Sequence, residues 1–274
     1  MDSLKRMIPS MNSSLSHRGP DDCGDFYEQD SGAMVGLGHR RLSIIDLSPL
    51  GHQPMSNRGK WLWVAFNGEI YNYKQIKEEA GDYPFLGDSD TEAILYLYEK
   101  EGAGFVERLD GMFSLALWDN KGRRLILARD PMGKKPLYYA VLDKTLIFAS
   151  EIKALLHCPL INRELDSSSL AKYLFYGYIP APNSIFKQIK MLKAGHILIF
   201  DKDGVKTRQY WTPKFSSCNE KLSEDDVISE FRDLLQEAVK KRLISDVPLG
   251  CFLSGGIDSS TIALVMSQDR KSVV

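Results

Sequence analysis

The chain has 274 residues, 43% apolar and 26% charged, the balance of a folded globular protein of one large or two ordinary domains, which excludes a mainly disordered chain. Lys and Arg number 35 against 36 Asp and Glu, a net charge of -1, so no global positive field recruits nucleic acid or an anionic membrane.

Apolar residues at Leu4, Met7, Ile8, Met11 and Leu15 predict a first helix, interrupted by Pro9 and opening without an N-cap. Strands are expected at 33–37 and 61–66, then a helix from about Asp90, with Asp90 or Thr91 as N-cap. Three hairpins follow: 112–118 with 124–128, 137–141 with 145–149, and 197–200 with 205–211, each around a turn rich in Asp, Lys, Asn or Gly. Helices are expected between them at 151–157 and 167–176. Hairpins with helices grouped among them describe an α+β domain with layered sheets. Residues 212–222 read as a polar linker. An amphipathic helix over 223–243, an apolar strand over 247–253 and a further helix then open a parallel α/β domain. The pattern stops one helix later, so a chain cut inside its second domain is expected.

No apolar run approaches the roughly 20 residues that span a bilayer, and residues 1–6 lack the apolar stretch of a signal peptide, so a cytoplasmic location is expected. The four cysteines (Cys23, Cys158, Cys218, Cys251) form no Cys-x-x-Cys pair and fit reduced thiols, with Cys251 read as core. The five histidines show no metal-ligand spacing.

Two constellations carry chemistry. The first is Leu253-Ser254-Gly255-Gly256-Ile257-Asp258-Ser259-Ser260. A strand entering a Gly-Gly turn and a helix offers backbone N–H groups and the helix dipole to phosphate, and Asp258 could hold Mg²⁺. Gly-Gly alone equally suits a turn that binds nothing, and no Gly-Lys-Ser/Thr is present, so this is not a Walker P-loop. The second comprises Arg41, Asn67-Gly68-Glu69 and Asp90. An arginine can grip an α-carboxylate and two carboxylates an α-ammonium, while an Asn side chain beside a glycine N–H makes an oxyanion hole. Taken singly, Asn67-Gly68 reads better as a turn, Asp90 as a helix cap and Arg41 as a surface charge than as parts of a site.

These segments, with His17-Arg18-Gly19-Pro20-Asp21-Asp22, Arg129-Asp130-Pro131-Met132-Gly133-Lys134-Lys135-Pro136, Ser150-Glu151-Ile152-Lys153 and Tyr178-Ile179-Pro180-Ala181-Pro182, resemble glutamine-hydrolysing asparagine synthetase in the family's order over nearly the whole chain. The resemblance implies an N-terminal-nucleophile glutaminase domain of αββα layers over 1–211, a linker over 212–222, and the start of an ATP-pyrophosphatase synthetase domain over 223–274. It implies a ligase that amidates aspartate through an adenylate, with glutamine, aspartate and ATP as partners, Mg²⁺ as metal, and a homodimer as an admissible assembly. Arg41, Asn67, Glu69 and Asp90 would bind glutamine, and Asn67 and Gly68 would form the oxyanion hole. Leu253, Ser254, Gly255, Gly256, Asp258, Ser259 and Ser260 would bind ATP, with Asp258 at the metal and pyrophosphate. The family's nucleophile, a cysteine in an N-terminal Cys-Gly-Ile, does not occur in these 274 residues, so no catalytic nucleophile is assigned and the chain as written is expected to be inactive. Cys23, without a free α-amine, reads as a bystander. The alternatives are a related amidotransferase acting on a sugar, peptide or antibiotic carboxylate, and a non-catalytic glutamine-binding remnant.

Overall fold

The computed structural model describes residues 1–30, 33–215 and 222–268, so most of the linker expected at 212–222 lies outside the described residues. The expected first helix forms as α1 (Asp2–Ser14), with Ile8 and Met11 buried, Pro9 inside it and no side-chain cap at Met1. β1 (Asp22–Asp30) was not expected from its polar sequence. It exists because β2 (Ala33–Arg41) pairs with it along its whole length, from Asp22 opposite Arg41 to Asp30 opposite Ala33. β2 also runs beyond the expected 33–37, and this places His39 and Arg41 on a strand.

The remaining elements of the first unit are β3 (Met55–Ser56), β4 (Leu62–Ile70), α2 (Tyr73–Glu79), α3 (Asp90–Glu101), β5 (Gly111–Asp119), β6 (Arg124–Arg129), β7 (Tyr138–Leu142), β8 (Thr145–Ala149), α4 (Ile152–Leu155), α5 (Ser167–Tyr176), β9 (Lys190–Met191), β10 (His196–Asp201) and β11 (Gly204–Gln209). All three expected hairpins are present, as β5–β6, β7–β8 and β10–β11. The expected helix at 151–157 is shorter, and the cap of α3 is Ser89, whose hydroxyl accepts from Thr91 N, rather than Asp90 or Thr91.

Six strands form an antiparallel sheet in the order β11-β10-β6-β5-β4-β3, and β8-β7-β9 form a second sheet. Alternation on β5 sorts the core, because successive side chains face opposite ways. Ala116 and Trp118 join Leu37, Leu127, Leu137 and Leu198 between the large sheet and the strands of the β1–β2 and β7–β8 hairpins. Phe113, Leu115 and Leu117 occupy its other face and are fully buried. Beyond the smaller sheet, Ile8 and Met11 of α1 and Ala154 and Leu155 of α4 pack on Ala140, Ile147 and Ala149. Helix, sheet, sheet, helix is thus the layer order, an αββα fold.

The second unit comprises Ile44–Leu47 and Pro213–Val274. α6 (Glu224–Lys241) starts in a full capping box, in which Ser223 Oγ accepts from Asp226 N and the Asp226 carboxylate accepts from Ser223 N. α7 (Ile257–Ser267) follows the Gly-Gly turn. The strand expected at 247–253 does not form. A strand exists through its ladder, and the described residues of this unit supply no strand to pair with. Cys251, expected in the core, is for the same reason exposed. No helix is long and apolar enough to cross a membrane among the described residues.

Candidate functional site

β4 positions the centre of the site. Asn67-Gly68 is not a turn: it lies in mid-strand, Asn67 opposite Ser114 and Gly68 opposite Phe113 on β5. Only glycine fits at 68, because φ is +156° there and a Cβ would overlap the Met112 carbonyl oxygen and lie 2.7 Å from Phe113 Cα. Asn67 and Glu69, two residues apart, share the face that carries Trp63, the side turned between the sheets. Asn67 Nδ2 donates to Ser150 Oγ at 3.4 Å.

Strand alternation also decides what Gly68 offers. N–H groups of alternate residues leave a strand on the same edge. Phe66 N donates to Gln53 Oε1 at 2.7 Å and Ile70 N to Asp90 Oδ2 at 2.9 Å, both away from β5. Gly68 N–H therefore points to this same edge, between two donors that are already occupied. Asn67's amide lies next to it in sequence, so two donors of the kind an oxyanion needs sit on consecutive residues.

The carboxylates lie on one side of this point. Asp90, in the first turn of α3, is buried, and burial pushes it up to about 7, against the hydrogen bond from Ile70 N and with the nearby Glu69 charge adding to the rise. Glu69 is also raised by burial, with the Lys135 ammonium pulling it back. Lys135 is lowered by burial, opposed by Glu69. It is carried by the loop after β6, which Asp130 organises: that carboxylate accepts from Met132 N, Lys134 N and Lys135 N at 2.9–3.0 Å, and from Phe113 N at 3.2 Å. Arg129 closes the same loop by donating to the carbonyls of Gly133, Lys135 and Leu192.

Arg41, at the end of β2, is not a surface charge, with only 8% of it exposed. Its guanidinium fills the space a side chain at Gly51 would need, and Nη1 lies 3.5 Å from Ser48 O. Two residues earlier, His39 Nε2 donates to Phe66 O at 2.9 Å. Burial drives His39 down to about 4, so the imidazole is neutral, and its Nδ1 is buried without a hydrogen-bond partner among the described residues. The His-Arg-Gly-Pro-Asp-Asp segment lies along the end of β2: Gly19 O accepts from Arg40 Nε, and the Asp21 carboxylate accepts from Ser43 N. Cys23 is exposed on β1.

In the second unit, Gly255 has φ +80° and Gly256 caps α7 without a side-chain bond. Ser254 Oγ and Ser259 Oγ lie 3.0 Å apart across the turn, and Gly256 N donates to Ser254 Oγ. Ser260 N is already engaged by Gly256 O, while Leu253 is exposed before the turn. Asp258 stands in the first turn of the helix. No cluster of three metal-ligating side chains occurs among the described residues. One carboxylate at a Gly-rich helix start fits Mg²⁺ that arrives with nucleotide phosphates, not a cage built by protein alone.

Sequence reasoning missed Gln53 and Lys135 as parts of the site. Gln53 enters by lying opposite Phe66 beyond β3, which no spacing in the sequence signals, and Lys135 through the Asp130 loop, whose segment carries the resemblance without assigning Lys135 a role.

Residues 1–211 match the glutamine amidotransferase domain family, and residues 230–274 match the asparagine synthase family. Asparagine synthetase [glutamine-hydrolyzing] 1 of Bacillus subtilis is 38% identical over 98% of this chain and 42% of its own length. Asparagine synthetase [glutamine-hydrolyzing] 2 of the same organism is 41% identical over 94% and 35%. The chain thus spans less than half the length of these relatives. Among solved structures, glutamine phosphoribosylpyrophosphate amidotransferase from B. subtilis superposes with a TM-score of 0.54 at 16% identity, covering 96% of this chain and 61% of that one, which establishes the shared fold. The polypeptide belongs to the glutamine amidotransferase domain family and continues into the start of an asparagine synthase domain.

Proposed function

We propose that the first unit binds glutamine, in the service of an ATP-dependent ligase of the cytoplasm that amidates the side-chain carboxylate of aspartate. Arg41 receives the α-carboxylate, Glu69 and Asp90 the α-ammonium, and the side-chain carbonyl points at Asn67 Nδ2 and Gly68 N–H. The observation that carries this reading is the outward Gly68 N–H, held between occupied donors at Phe66 and Ile70 and beside the buried Asp90 carboxylate and the half-buried Glu69. Lys135 offsets part of the Glu69 charge, and an ionised Asp90 at 5% exposure is costly unless a cation neutralises it, which an amino-acid ammonium would do. The two donors would stabilise the oxyanion of an acyl-transfer step as its charge develops.

In the second unit, Leu253, Ser254, Gly255, Gly256, Ser259 and Ser260 would cradle ATP, with Asp258 holding Mg²⁺ on the phosphates. The metal would supply charge neutralisation at the pyrophosphate. Aspartate as acceptor rests on the names of the relatives.

Isothermal titration with L-glutamine, with L-glutamate and D-glutamine as controls, tests this reading. Saturable binding of L-glutamine alone supports it, and no heat with any of the three overturns it.

A further inference from the structure

We propose that Gln53 is the positioning residue of this site: its buried amide locks the edge of β4 beside Gly68 to the start of α3, and so fixes the length of amino acid the site accepts. The inference rests on the glutamine-binding reading above.

The ladder between β3 and β4 ends with Met55 opposite Val64. The next outward donor on β4, Phe66 N, has no main-chain partner there, and the Gln53 side chain takes that place at 2.7 Å. The other end of the same amide donates to Thr91 Oγ1 at 3.4 Å. Thr91 follows Asp90, whose carboxylate holds Ile70 N. Phe66, Gln53, Thr91, Asp90 and Ile70 thus close a ring around Gly68. Gln53, Thr91 and Asp90 are 6%, 2% and 5% exposed, so water cannot replace a bond that is lost. His39 holds the carbonyl of the same Phe66, and Gly51, two residues before Gln53, seats the Arg41 guanidinium.

The ring sets the separation between the groups assigned to the α-ammonium and those assigned to the side-chain carbonyl. Glutamine and asparagine differ by one methylene across that separation. A rigid ring rejects asparagine, whereas a loosened one tolerates it.

The test uses the full chain with Gln53→Met, Thr91→Val and Thr91→Ser. Thr91→Val leaves the bond to Phe66 in place and removes only the link to α3, so it remains informative if Gln53→Met does not fold. Expected are a glutamine affinity lowered about tenfold in Gln53→Met and several-fold in Thr91→Val, a glutamine-to-asparagine preference that shrinks in both, and wild-type values in Thr91→Ser. Amide hydrogen exchange supplies a readout that needs no ligand: Thr91→Val should deprotect Ile70, and Gln53→Met should deprotect Phe66 and Ile70 together. Wild-type affinity and preference in Thr91→Val, with Ile70 still protected, overturn the proposal. If the wild type binds no glutamine, the site reading fails, and the paired exchange of Phe66 and Ile70 alone decides whether the lock exists.

Discussion

Asp90 and His39 are buried titratable groups whose protonation opposes one another. Asp90 is raised to about 7, so between about pH 4 and 7 the native state holds a proton that the unfolded chain releases, and stability falls as pH rises through that window. His39 is lowered to about 4, so between about pH 4 and 6.5 the unfolded chain takes up a proton that the native state refuses, and stability falls as pH drops. The two slopes largely cancel in the wild type. Asp90→Asn keeps an acceptor for Ile70 N and removes the first slope. It should be more stable than wild type at pH 8, equal to it near pH 4, and deficient in glutamine binding, as read by urea titrations at several pH values. The sign carries over to the ligand. An ammonium prefers the ionised carboxylate, so glutamine binding should expel a proton below pH 7 and tighten about fivefold between pH 6 and 7. Titrations in buffers of different ionisation enthalpy measure that proton, and an affinity flat across pH 6–8 would count against Asp90 as an ammonium ligand.

At the scale of elements, the site is a place where strand ladders run out. β3 stops at Met55–Ser56, and the outward donors of β4 beyond it are taken by Gln53 and Asp90 side chains, which leaves Gly68 between them. This explains what the sequence could and could not reveal. The three hairpins were legible because their turn residues sit directly between apolar strands, and α6 because its capping residue and periodicity are local. β1 was not legible, since its strand character comes from pairing with β2. Asn67-Gly68 reads better as a turn, and only its partners on β5 decide that it is extended. Arg41, Asn67, Glu69 and Asp90 are proposed through resemblance, whereas the place of Gln53 depends on strand register and that of Lys135 on how the Arg129–Pro136 segment folds around Asp130. The Asp130 loop is the most exacting of these local structures. Asp130→Ala would strand up to four backbone donors at a carboxylate only 1% exposed, at a cost of about 3 kcal/mol or more. Lys135 would lose its fixed place near Glu69, so glutamine affinity should change along with the denaturation midpoint. A midpoint within experimental error of the wild type would show that the loop holds itself without Asp130.

At the scale of the whole molecule, the two units differ in how they handle apolar surface. The first buries apolar residues on both faces of its sheets and exposes Leu174, Phe175 and Tyr176 on α5. The second presents Val227, Phe231 and Leu234 along α6, and Phe252, Leu253 and Ile257 at the Gly-Gly turn, with Phe252 fully exposed. Val227, Phe231 and Leu234 recur at four and three residues, the stripe by which a helix packs on a neighbour, and each such side chain gains about 1.5–3 kcal/mol when buried. Contiguous apolar surface of this kind binds hydrophobic dyes and drives association. A polypeptide of these 274 residues should therefore enhance anilinonaphthalene sulfonate fluorescence in native buffer and sediment with a concentration-dependent mass. The charge change Phe231→Glu with Leu234→Glu should lower both signals without altering far-ultraviolet circular dichroism, because neither side chain is buried in this chain and both positions tolerate glutamate as a helix former. A dye-negative monomer in the wild type would mean that the α6 stripe is covered in solution and that the exposed face described for this unit is wrong.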